Sequence, residues 1–95
     1  MNFDQEGVGP FLNELSRSFT SNLDADALAK AIDSLPLDQT GNWEFAVTSG
    51  KKTERLVVVA FKDDIDAPDL AFYSSPELAA LIQEQLESFA QAQGW

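Results

Sequence analysis

The chain contains neither cysteine nor histidine. Without cysteine there is no disulfide and no thiolate to act as nucleophile or ligand, so disulfide-dependent small secreted domains are a poor match. Without histidine the commonest general base near neutral pH and the commonest transition-metal ligand are both missing. An enzyme would have to work with carboxylates, Lys, Tyr or Ser, and none of these stands in a catalytic spacing. The expectation is a non-enzymatic protein without a cofactor. Bases are also scarce. Six Lys plus Arg face sixteen Asp plus Glu, a formal net charge of -10, and such a field repels phosphate backbones and anionic membranes. Direct nucleic-acid binding is therefore not expected. No apolar run reaches transmembrane length, and Asp4 and Glu6 stand where a signal or transit peptide would carry bases, which makes a cytoplasmic location the default expectation.

What remains is well suited to folding. Hydrophobic residues make up 44% of 95 residues and include seven Phe and two Trp, enough apolar surface to offset the entropy of ordering one domain over 1–95. Residues 1–9 read as a polar, glycine-containing lead-in. The charge is unevenly spread: residues 1–42 carry -5, residues 43–73 carry -2 and residues 74–95 carry -3, because four of the six bases fall in the middle stretch.

Pro10 fits a first helical position, with Phe11, Leu12, Leu15 and Phe19 on one side of a short helix. A second helix starts at Asp24 as N-cap, with Leu23 and Leu28 spaced as a hydrophobic staple and Leu28, Ala31, Ile32 and Leu35 as its stripe. Pro36 ends it. After a turn over 37–42, Trp43, Phe45 and Val47 alternate with Glu44, Ala46 and Thr48 as a one-faced strand. Ser49-Gly50-Lys51-Lys52 turns the chain into a central strand over 55–62. An acidic loop over 63–69 and a short strand over 70–73 follow. Ser74-Ser75-Pro76-Glu77 starts a long helix, with either serine as N-cap, whose stripe is Leu78, Leu81, Ile82, Leu86 and Phe89 and which Gly94 breaks. The predicted fold class is α+β in the order α-α-β-β-β-α, a three-stranded antiparallel meander packed against helices.

The candidates for chemistry each have a plain structural explanation. Ser49 and Lys52 satisfy S-x-x-K only formally, since that motif needs its serine at a helix start and these residues flank a hairpin turn. Asp63, Asp64, Asp66 and Asp69 suggest a hard cation, yet with Asp64 and Asp66 at positions 1 and 3 of a calcium loop, Pro68 takes position 5 and Asp69 replaces the required glycine. A solvated loop with Asx turns is expected, and no metal site. Asp24 and Asp26 suit a helix N-terminus. Gly7-Val8-Gly9 lacks the third glycine, strand and lysine of a phosphate loop. Lys51, Lys52 and Arg55 form a small basic patch of the kind that keeps hairpin tips soluble.

Two features call for more. The run Leu56-Val57-Val58-Val59-Ala60-Phe61 is apolar on both faces of its strand. If helices cover Leu56, Val58 and Ala60, then Val57, Val59 and Phe61 need a second cover, and Ala46, Ala71 and Tyr73 join them if the register allows. Gln85 falls within the apolar stripe of the last helix, between Leu81 and Phe89, where an amide needs partners. Trp95 ends the chain and is a candidate anchor. The interaction candidates are thus Val57, Val59, Phe61, Tyr73, Gln85 and Trp95. The functional expectation is a small acidic interaction module of the inhibitor, immunity-protein or chaperone kind, binding another protein, basic by charge complementarity, or a second copy of itself. The alternative is a carboxylate-based divalent-metal or small-ligand protein or enzyme.

Overall fold

The computed structural model describes residues 3–94. Its elements are α1 (Gln5–Ser18), β1 (Thr20–Ser21), α2 (Ala25–Asp33), β2 (Thr40–Ser49), β3 (Lys52–Phe61), β4 (Asp69–Tyr73) and α3 (Pro76–Ala92). The sheet is antiparallel throughout, in the order β1-β2-β3-β4. The α+β class and the β2-β3-β4 meander match the sequence reading. The element order does not. It is α-β-α-β-β-β-α among the described residues, with a fourth strand between the first two helices. That strand has two residues, Thr20 opposite Thr48 and Ser21 opposite Val47, and exists only because the chain leaving α1 passes the far end of β2.

The start of the first helix is also corrected. Pro10 lies inside α1, which begins at Gln5, and Phe3 and Val8 in the supposed lead-in are fully buried. An interior proline forfeits one helical hydrogen bond and crowds the preceding turn, a cost of about 3 kcal/mol. Burial of Val8, Phe11, Leu12 and Leu15 offsets it, at roughly 1.5–3 kcal/mol for each large apolar side chain. The N-terminal segment is also strapped to the 63–68 loop: Phe3 N–H donates to the Pro68 carbonyl at 2.9 Å and Gln5 N–H to the Asp66 carbonyl at 2.8 Å.

The other helix starts follow their sequence signals. Asp24 caps α2, its Oδ1 accepting the Ala27 N–H at 3.1 Å, and both staple residues, Leu23 and Leu28, are buried. Of the two serines before α3, Ser75 is the cap, accepting the Leu78 N–H at 3.3 Å, with Pro76 as first helical residue. The β2–β3 hairpin turns on Gly50 and Lys51 between paired Ser49 and Lys52, and Gly50 takes φ +64°, the left-handed value a II′ turn requires at that position.

All three helices contribute to one core. Phe11 meets Phe3, Phe72 and Phe89 at ring-centroid distances of 5.3, 5.8 and 5.5 Å, joining α1, β4 and α3. From β3 the core takes Leu56, Val58 and Ala60 and no other residue. The helices therefore lie together on one face of the sheet.

Candidate interaction surface

Side chains alternate across a strand, so the register decides what stands on the sheet's other face. Val57 lies between Glu44 of β2 and Tyr73 of β4, Val59 between Asn42 and Ala71, and Phe61 between Thr40 and Asp69. Val57, Val59, Phe61, Ala71 and Tyr73 thus form one contiguous apolar patch. None belongs to the core; Phe61 is 38% and Tyr73 60% exposed, whereas Val58, between Val57 and Val59 in sequence, is 0%. Ala46, opposite Arg55, extends the same face. The patch has a polar border: Arg55 Nε lies 3.4 Å from Glu44 Oε1, with Asp69 opposite Phe61 at the far end.

The remaining candidates are not part of this assembly. Gln85 is half-buried in the groove between α1 and α3, beside Arg17 and Phe89, on the helical side of the molecule. The buried stripe of α3 is Leu78, Ile82, Leu86 and Phe89, so Gln85 and the 37%-exposed Leu81 sit at its margin. Trp95 lies outside the described residues.

The basic patch is largely taken up by carboxylates. Lys52 Nζ lies 3.2 Å from Glu54 and 3.8 Å from Glu77, and Arg55 is paired as above. The Ser75 hydroxyl and then Lys52 hold the Glu54 carboxyl below the ordinary glutamate range, and Glu54 in turn raises the Lys52 ammonium. This cluster joins the start of β3 to the first turn of α3.

The acidic loop is built from its own backbone: Asp64 Oδ1 accepts the Asp66 N–H at 3.0 Å and the Asp64 carbonyl accepts the Ala67 N–H at 3.2 Å. Among the described residues no three Asp or Glu side chains group as a metal ion would require. Gly7-Val8-Gly9 is helical rather than a loop. No helix among the described residues is long and apolar enough to cross a membrane.

Two residues that sequence patterns did not single out have clear roles. Lys62, at the end of β3, is wholly buried and its Nζ donates to the Asp33 carbonyl at 3.0 Å, placing a cation at the C-terminus of α2 where the helix dipole favours it. Asn22 closes the β1 end of the sheet. Its Oδ1 accepts the Ala46 N–H at 2.9 Å and its own N–H donates to the Ala46 carbonyl at 3.3 Å. Both contacts link positions far apart in sequence, and no local pattern announces them. No protein-family model matches the chain, and neither does any curated protein or solved structure.

Proposed function

We propose that this chain is a non-enzymatic interaction module that binds another protein through the open face of its sheet. The reading rests on one observation: Val57, Val59, Phe61, Ala71 and Tyr73 are adjacent on the face away from the helices. Contiguous apolar surface that the chain's own helices leave uncovered is a common mark of an interface. Apolar side chains at its centre supply affinity, while a net charge of -10 speeds encounter with a basic partner and disfavours acidic ones. The same charge opposes pairing of two copies through this face.

The test is capture from the native source with wild-type protein and the Val59→Asp variant in parallel. A protein retained by wild type, lost by Val59→Asp and released by rising salt supports the reading. Retention of the same proteins by both forms, or a partner insensitive to salt, contradicts it. A homodimer that Val59→Asp dissociates would assign the face to a second copy.

A further inference from the structure

The outer edge of β2 carries a second surface. In an antiparallel pair, residues alternate between those bonded to the neighbour on one side and those whose N–H and C=O point to the other. Ala46 bonds outward, to Asn22, and Thr48 faces Thr20 of β1. Glu44, Asn42 and Thr40 share that parity, so their backbone groups also point away from β3. Beyond Asn22 the chain turns into α2, and among the described residues no backbone or side-chain group bonds the N–H or C=O of Asn42 or Glu44. The stretch Thr40–Phe45 pairs with β3 without a bulge and contains no Pro or Lys, two of the residues that blunt an exposed edge, its one charge being Glu44.

Beside this edge runs a groove of about 320 Å³ between α2 and β2, lined by Asp24, Ala27, Leu28, Ala31, Trp43 and Phe45. Gly41 helps shape it. A Cβ there would stand 2.6 Å from the Trp43 ring, so only glycine lets that ring lie back along the strand. We propose that the edge of β2 is a strand-addition site for an extended, basic segment of another protein, a surface distinct from the open face and independent of that reading.

The chemistry of the occupant follows from the site. Unpaired groups on alternate residues are satisfied by an extended backbone continuing the ladder that β1 and Asn22 begin. Alternate side chains of that segment enter the groove and are apolar. Those on the other side lie on the face of Glu44, where the net charge of -10 favours basic residues. A second copy at this edge would bring another Asp24, another Glu44 and another net charge of -10 alongside the first.

The probe is a blocked peptide of roughly six residues alternating valine and lysine, followed by amide hydrogen exchange and titration. In the free protein the Asn42 and Glu44 amides should exchange quickly and those of Trp43 and Phe45, bonded to β3, slowly. Peptide should slow Asn42 and Glu44 by about tenfold or more. The same peptide N-methylated at alternate amides should not bind, and Asn42→Pro, which removes an outward N–H, should weaken binding about tenfold. Should Asn42→Pro fail to fold, Glu44→Pro and the N-methylated peptide carry the test.

Equal binding by the N-methylated peptide, or no slowing at Asn42 and Glu44, overturns the proposal. Equal binding by a valine–glutamate peptide overturns its basic occupant, and slow exchange at both amides in a peptide-free dimer assigns the edge to a second copy. Tyr73→Asp, on β4 and two strands away from this edge, should leave peptide binding unchanged, which separates this outcome from that of the open face.

Discussion

Val58 and Val59 are neighbours of the same type on the same central strand, yet one is sealed beneath three helices and the other is on the open face. The difference shows that the sheet is a wall with one upholstered side. Everything large in the core, from Phe3 to Phe89, lies on the Val58 side. The Val59 side keeps a β-branched, apolar surface with a Glu44–Arg55 pair at its border. β-branched residues suit a strand on either face; what supports the proposed binding role is that those on the solvent side are contiguous.

The contrast is broken most severely by charging the two valines in turn. Val58→Asp should unfold the domain, since an unpaired carboxylate has no partner in that core and costs upwards of about 4 kcal/mol; loss of the cooperative thermal transition in circular dichroism checks it. Val59→Asp should keep that transition, lowering stability by about 1 kcal/mol through lost strand propensity and partial burial, while abolishing partner capture. Between these, Phe11→Ala removes the ring shared by Phe3, Phe72 and Phe89 and should cost about 3–5 kcal/mol in a denaturant titration. It should leave the open face competent in whatever fraction remains folded.

Two smaller effects sharpen the account of how the helices are held to their side. Asp24→Ala deletes the α2 cap and should cost about 1 kcal/mol, read as a lower denaturant midpoint at unchanged slope. The smallest effect is electrostatic. Because Ser75 and Lys52 depress the Glu54 carboxyl, its contribution to stability is present above the ordinary glutamate value and is lost as pH falls through the lowered folded value. Wild type should therefore exceed Glu54→Gln in stability near neutrality and converge with it in acid. Lys52 runs the other way: raised by Glu54, its contribution is full below the ordinary lysine value and fades as pH rises through the higher one.

Local chemistry was legible in the sequence wherever one short segment held the whole signal. Asp24 with Leu23 and Leu28, Ser75 with Pro76, and the two-faced run of β3 each need only a few consecutive residues. The class of the fold and the meander followed from them. The features that escaped depend on distant partners. Thr20 and Ser21 become a strand only because Thr48 and Val47 pass beside them, and α1 extends back through Gly7, Gly9 and Pro10 because burial of Phe3 and Val8 overrides poor helix propensity. The candidate face was half legible: alternation placed Val57, Val59 and Phe61 together, but only the register could add Ala71 and Tyr73, and only the packing of α3 on α1 could set Gln85 on the opposite side.

The central claim is that β3 is shielded on one side alone, and methyl NMR with a soluble gadolinium chelate tests it most directly. Methyl signals of Val57, Val59 and Ala71 should broaden strongly as chelate is added, while those of Leu56, Val58 and Ala60 stay sharp. Equal protection of both sets in a monomeric, partner-free sample would contradict the account.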